Sequence, residues 1–191
     1  MSINIAIFAS GNGSNAENIL KHFEGKEETA KVKIVLCNHA EAYVLERAKK
    51  YGVPTLVFSK KEMVETEKVE EALKAYGIDF IVLSGFMLKI PEKLVRAYPN
   101  RIVNIHPALL PKYGGKGMYG DHVHEAVIAA GEKESGITIH YANEHYDSGD
   151  IIFQAKCAVE AGDTAETLAQ RVHQLEYAHF PRVIEETVKK L

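Results

Sequence analysis

Asn104 and His106 stand two residues apart at the end of the apolar run Val103-Asn104-Ile105-His106-Pro107. Side chains on a strand alternate, so both point to the same face. Pro107 holds the residue before it extended and stops the strand. Two polar groups therefore emerge side by side where an apolar strand ends. The pair suits chemistry at a carbonyl carbon such as that of a formyl group. When an amine attacks such a carbon, negative charge builds on the oxygen, and an amide N–H and an imidazolium are suitable donors to it. The proton lost by the amine must also reach the departing nitrogen, which needs a group that titrates near neutral pH, and histidine is such a group. A neighbouring carboxylate would favour the charged ring. Asp147, in the polar loop His145-Tyr146-Asp147-Ser148-Gly149-Asp150, is the best candidate, and Asp150 competes by composition alone. A hydrogen-bonded strand end would explain the Asn/His pair as well as catalysis does, and a plain turn would explain Asp147.

A second group lies near the start. Ser10-Gly11-Asn12-Gly13-Ser14-Asn15-Ala16 joins an apolar strand to a helix. Glycine lets the backbone approach a ligand closely, and the helix N-terminus offers free N–H groups and a positive dipole end to an anion. Ser14 and Asn15 add side-chain donors and could cap the helix. The spacing also fits the dinucleotide pattern G-x-G-x-x-A, which requires an acidic residue at the end of the second strand. Cys37-Asn38-His39 stands there instead, so the loop reads as a site for a single phosphate. No Lys-Ser/Thr follows the last glycine, which excludes a Walker loop.

The elements that carry these groups alternate. Strands are expected over 3–9, 32–37, 54–58, 80–83 and 102–105, with helices over 16–23, 42–51, 61–76 and 91–98. After His106 come a Pro- and Gly-rich loop, a helix over 122–130, two longer strands over 136–142 and 151–159, expected to be antiparallel, and a last helix from Thr164. Asp163 and Glu166 resemble a capping pair for that helix, and Pro181 should kink or break it. The fold class is α/β: a mostly parallel twisted sheet with helices on both faces, Rossmann-like in its N-terminal half, with antiparallel strands and a long helix at the C-terminal end. We expect one domain over 1–191, with residues 1–100 as a phosphate-binding half and 101–191 as a catalytic half.

Composition narrows the partners. The 191 residues are 46% hydrophobic and 26% charged with a net charge of −3, the balance of an ordinary globular chain. No basic stripe is present to hold a nucleic acid. The two cysteines, Cys37 and Cys157, lie far apart and outside any zinc spacing, so they read as buried apolar residues in a reducing compartment. Met1-Ser2-Ile3-Asn4-Ile5 enters a strand with no basic leader, and no apolar run reaches membrane-spanning length, so a cytoplasmic location is expected.

Taken with Leu45-Glu46-Arg47-Ala48, Ser84-Gly85-Phe86-Met87, Asn104-Ile105-His106-Pro107-Ala108-Leu109-Leu110-Pro111, Gly136-Ile137-Thr138-Ile139-His140, Asp147-Ser148-Gly149 and Glu176, the glycine loop gives the chain a resemblance over nearly its whole length. It resembles the folate-dependent formyltransferases, in the branch that acts on glycinamide ribonucleotide. The resemblance implies formyl transfer from 10-formyltetrahydrofolate to that amine in purine biosynthesis, without a metal. It implies that Asn104, His106 and Asp147 are catalytic, with His106 as proton donor and Asp147 raising its pKa. Gly11, Asn12, Gly13, Ser14 and Asn15 would hold the substrate phosphate. Glu176 would contact the ribose or amide part, with His173 nearby. Met87, Leu88, Lys89 and Ile90, with Asn104 and Asn143, Glu144, His145, Tyr146 and Asp147, would form the folate pocket largely through backbone groups, with Lys61 near the folate tail. Leu88 stands where many relatives carry arginine, which suits a backbone role there, and His173 where they often carry Gln or Lys. The glycine-rich stretch 113–120 reads as a flap beside the site. Monomer or homodimer is expected, with small-molecule partners only. Two other readings compete. A formyltetrahydrofolate hydrolase would carry an added N-terminal domain, for which the opening strand leaves no room, and a non-catalytic phosphate-binding module would not need His106.

Overall fold

A computed structural model describes residues 2–191. Seven strands form one sheet: β1 (Ile3–Ala9), β2 (Ala30–Cys37), β3 (Thr55–Val57), β4 (Phe80–Leu83), β5 (Ile102–His106), β6 (Glu134–Tyr141) and β7 (Ile151–Ala158), in the order β3-β2-β1-β4-β5-β6-β7. The first five run parallel, and β6 and β7 complete the sheet antiparallel. The helices are α1 (Ser14–Phe23), α2 (Val44–Lys50), α3 (Lys60–Glu65), α4 (Lys68–Ala75), α5 (Glu92–Ala97), α6 (Asp121–Ala129) and α7 (Ala165–Val188). This is the expected α/β class.

Helices cover both faces, and β1 shows why its sequence is apolar without a break from Ile5 to Ala9. Ile5, Ile7 and Ala9 join a core with Ile19 of α1, Val44 of α2, Val127 of α6 and Val172 of α7. Ala6 and Phe8 point the other way, into a core with Met63 of α3, Leu73 of α4 and Leu94 of α5. A strand buried on both faces has no polar side to alternate with. The strand order reverses between β1 and β4, and the chain leaves both at the same edge of the parallel sheet. Crevices at such a switch point, outside the carboxyl ends of the strands, accept ligands.

Three local expectations need correction. The helix expected over 61–76 is two. Ser59 and Glu62 form a reciprocal capping box that starts α3, and Thr66 ends it, its hydroxyl donating to the Glu62 carbonyl at 2.6 Å. A β-branched residue with a backbone-seeking hydroxyl competes with helix continuation here. The start of α7 is capped by Thr164 and Thr167, not by Asp163 and Glu166; Asp163 instead accepts from the Thr167 hydroxyl at 2.8 Å and pairs with Arg171. Finally, Pro181 does not break α7, which runs through it to Val188. Proline has no N–H for the carbonyl four residues back, Tyr177. That carbonyl accepts instead from Asn18 Nδ2 of α1 at 2.9 Å. A distant side chain thus satisfies the group that proline orphans. Among the described residues, no helix is long and apolar enough to cross a membrane.

The Asn18 contact yields a stability test. Asn18→Ala should lower the unfolding free energy by about 1 kcal/mol in the natural background and by much less once Pro181→Ala supplies the missing N–H. Chemical denaturation of the four proteins measures this coupling, and equal losses in both backgrounds would contradict it.

Candidate active site

Three chain exits from the sheet meet at one cavity of about 620 Å³. Gly13, Ser14 and Asn15 after β1, residues 83–90 after β4, and Asn104, His106 and Pro107 at the end of β5 all line it. Residues of the 115–121 stretch, His140 of β6, the loop after it, and His173 and Glu176 of α7 complete the lining.

The first exit is shaped by Gly13. Its φ of 76° is left-handed, and a Cβ there would fall 2.3 Å from Val44 Cγ2, so glycine is required on both counts. No side chain caps α1, which corrects the capping expected of Ser14 and Asn15. Ser14 Oγ instead accepts from the Tyr177 hydroxyl at 3.1 Å, and Asn15 Nδ2 donates to Glu176 Oε2 at 2.8 Å. The N-terminal N–H groups of α1 thus lack a side-chain acceptor and belong to a cavity-lining segment, the arrangement that favours an anion. Asn38, found where a dinucleotide site needs an acid, accepts from Ser10 Oγ at 2.6 Å, and the same hydroxyl accepts from the Met87 N–H at 2.9 Å. Asn38 therefore helps to hold the Met87–Ile90 wall.

The centre is a buried polar cluster. Asn104 and His106 share one face of β5, and β6 pairs antiparallel so that His140 lies directly opposite Asn104. The segment leaving His106 is anchored by the buried Thr138 hydroxyl, which donates to the Ala108 carbonyl at 2.7 Å and accepts from the Leu110 N–H at 3.0 Å. Asp147 reaches in from the loop after β6 with a left-handed φ of 50° and a side chain 10% exposed. Its Oδ2 accepts from the Gly115 N–H at 3.0 Å and lies 3.5 Å from His106 Nδ1. Its Oδ1 lies 3.5 Å from Asn104 Nδ2 and 3.7 Å from His140 Nε2. Asp150 is exposed and outside the cavity lining.

The hydrogen-bond partners assign the ring protons. His140 Nδ1 donates to the Tyr141 carbonyl at 2.9 Å, which leaves Nε2 to accept from Asn104 Nδ2 at 3.2 Å. Asn104 thus spends one amide hydrogen on His140, while the other is directed only weakly at Asp147. His106 Nε2 donates to the Tyr113 carbonyl at 2.6 Å, so in the neutral ring Nδ1 faces the carboxylate bare.

Burial at 3% exposure pushes the His106 pKa below its usual value. Asp147 and the Tyr113 carbonyl pull upward and lose. The expected upward influence of Asp147 is present, but it does not set the net direction. Burial also pushes Asp147 upward, yet the His140 and His106 rings, when protonated, and the Gly115 N–H hold it below the ordinary carboxylate value. His173 Nδ1 meets Glu176 Oε2 at 2.8 Å, and this hydrogen bond raises its pKa. Burial lowers that of His124.

Most of the expected site residues converge: Asn104, His106, Asp147, Gly13, Ser14, Asn15, His173, Glu176, Met87, Leu88, Lys89, Ile90, Asn143, His145 and Tyr146 all line the cavity. Gly11 and Asn12 lie outside its lining. Glu144 lines an adjoining groove, with Lys60. Lys61 lines neither, and its side chain is 79% exposed beside Glu65. His140, His124 and the Tyr113 carbonyl were not expected. His140 had a signal, as the last residue of the Gly136–His140 motif, but its partner depends on strand register. A buried imidazole with a half-buried amide and carboxylate, beside a free helix N-terminus, can stabilise an oxyanion, carry a proton and hold a phosphate.

A family model described as formyl transferase matches residues 3–184. A chloroplastic phosphoribosylglycinamide formyltransferase of Arabidopsis thaliana is 40% identical over 94% of this chain and 63% of its own length. The chain likewise spans 59% of a chloroplastic relative of that name from Vigna unguiculata, but 92% of the phosphoribosylglycinamide formyltransferase of Bacillus subtilis, to which it is 37% identical over 95% of its length. The crystal structure of phosphoribosylglycinamide formyltransferase from Anaplasma phagocytophilum superposes with a TM-score of 0.90 at 34% identity, covering 100% of this chain and 89% of that one. The match to the family model covers the whole sheet and most of α7, and on that ground the chain belongs to the formyl transferase family.

Proposed function

We propose that this protein transfers the formyl group of 10-formyltetrahydrofolate to the amine of 5-phosphoribosylglycinamide, giving the N-formyl product and tetrahydrofolate in purine biosynthesis. The observation that carries the reading is the placement of Asn104, His106 and Asp147 in one cavity with the uncapped start of α1. Gly13, Ser14 and Asn15 receive the phosphate. Glu176 and His173 contact the sugar or amide part. The pterin lies along Met87–Ile90 and the 143–147 loop. Residues 1–191 act as one domain, and with the pterin along the 87–90 wall the N-terminal half also serves the folate. We further infer a cytoplasmic monomer or homodimer without a nucleic-acid partner.

In this mechanism the amine attacks the formyl carbon, a C–N bond forms and the carbonyl electron pair moves to oxygen. The Asn104 amide hydrogen that points only weakly at Asp147 turns to that oxygen. The Tyr113 carbonyl gives way, so that His106 presents Nδ1–H to Asp147 and a bare Nε2 to the amine. The neutral ring takes the amine proton, and Asp147 stabilises the resulting imidazolium. When the bond from carbon to the folate nitrogen breaks, Nε2–H delivers the proton to that nitrogen and the ring is neutral again. The lowered pKa of His106 thus makes it a base before it is an acid.

Tetrahydrofolate release, followed spectroscopically, should require the ribonucleotide; equal release without it would identify a hydrolase. His106→Ala should lower the rate by on the order of 10²-fold or more, whereas a near-natural rate would favour a module that only binds phosphate. With the neutral ring as base, kcat/KM falls as pH drops through the His106 pKa, below its usual 6.5. Asp147→Asn removes the largest upward influence, lowers that pKa further and moves the acid limb to lower pH. An acid limb that stays in place would detach Asp147 from His106. Among the described residues no His, Cys, Asp or Glu cluster could hold a metal, so a chelator should leave the rate unchanged, and inactivation by it would contradict the mechanism.

A further inference from the structure

The helix α2 grips the glycine loop from behind, residue by residue. The Val44 N–H donates to the Gly11 carbonyl at 3.2 Å, and the Val44 side chain occupies the space a Cβ on Gly13 would need. One turn later, Arg47 Nε donates to the Asn12 carbonyl at 2.8 Å and Nη2 to Asn12 Oδ1 at 2.7 Å. Arg47 Nη1 pairs with Glu17 in the first turn of α1. The guanidinium also lies 4.8 Å from the Tyr43 ring centre. Arg47 is not in the cavity lining, and its side chain is 18% exposed.

The consequence follows from peptide geometry. In a planar trans peptide the C=O and the next N–H point in opposite directions. Holding the Gly11 and Asn12 carbonyls against α2 therefore turns the Asn12 and Gly13 N–H groups away from it. The guanidinium has a second effect. Glu17 places a carboxylate in the first turn of the helix whose start would receive an anion, and Arg47 neutralises it. A planar fork can serve both oxygens of Asn12 and the carboxylate at once, whereas a lysine ammonium cannot.

We propose that Arg47 is a positioning residue for phosphate: it sets the peptide planes of the 11–13 loop and masks Glu17, so that the start of α1 accepts a phosphate dianion. This rests on the phosphate role given to Gly13–Asn15 above, and it adds a determinant outside the cavity.

The test measures inorganic phosphate binding by 31P NMR titration of the whole protein. Arg47→Ala should weaken phosphate about tenfold or more, the scale of one or two lost charge-assisted hydrogen bonds. Arg47→Lys, which keeps the charge and guards against a folding defect, should fall between the two. Adding Glu17→Gln to Arg47→Ala should recover the electrostatic part of the loss. In turnover, KM for the ribonucleotide should rise while KM for the folate and kcat hold, a split that general destabilisation would not give. Unchanged phosphate affinity in folded Arg47→Ala, or no phosphate binding by the natural protein, would overturn the proposal. If phosphate binds and depends on Arg47 but no amine-dependent turnover occurs, the formyl-transfer reading fails and the role of Arg47 stands.

Discussion

The carboxylate of Asp147 is a charge largely enclosed by the protein, and the site is organised around satisfying it. Such a group is costly unless donors surround it. Here the donors come from separate parts of the chain, the Gly115 N–H from the glycine-rich stretch and the Asn104 amide from β5, and the rings of His106 and His140 lie alongside. Its loop is bent to bring it there. Asp147 adopts a left-handed backbone, and two residues later a Cβ on Gly149 would fall 1.6 Å from the Tyr141 carbonyl. The motif Asp147-Ser148-Gly149 is thus a geometric device: glycine permits the close approach that delivers the carboxylate.

The sheet supplies the remaining precision. Parallel strands β1, β4 and β5 release their chains toward one region, which brings the start of α1, the 84–90 wall and the Asn/His pair together. The antiparallel turn to β6 then adds what a purely parallel sheet would not, a histidine directly across from Asn104. His140, with its proton committed to the Tyr141 carbonyl, fixes which way the amide faces. Opposed forces act on His106: burial lowers its pKa, while the adjacent carboxylate lowers the cost of charging it. A group balanced in this way can take up a proton and release it again.

Much of this architecture is legible in the sequence, for physical reasons that differ by element. β1 and β4 read clearly because burial on both faces leaves the unbroken apolar runs 5–9 and 80–83. The Asn104/His106 pair reads clearly because strand alternation is local. The features that escape are those decided at a distance. Pro181 looks like a helix breaker until Asn18, from another helix, supplies the donor that proline lacks. The division of the 61–76 helix depends on Thr66 turning its hydroxyl onto the Glu62 carbonyl, a competition that apolar periodicity does not register. His140 acquires its partner through a strand register joining residues 36 positions apart. Lys61 is one position from Lys60, and only the three-dimensional path of α3 shows which of them lines the groove. The net pKa direction of His106 could not be read at all, since a neighbouring carboxylate is visible in the sequence and the depth of burial is not.

The central claim is that His106 rests neutral in a buried pocket and that Asp147 stabilises its charged form. Nitrogen-15 NMR of the labelled ring in the free protein tests this most directly, because its shifts report both charge and tautomer. The account predicts a neutral, Nε2-protonated His106 at pH 7 that becomes charged only below its ordinary pKa, and a further fall of that midpoint in Asp147→Asn. A ring already charged at pH 7, or a midpoint indifferent to Asp147, would contradict it.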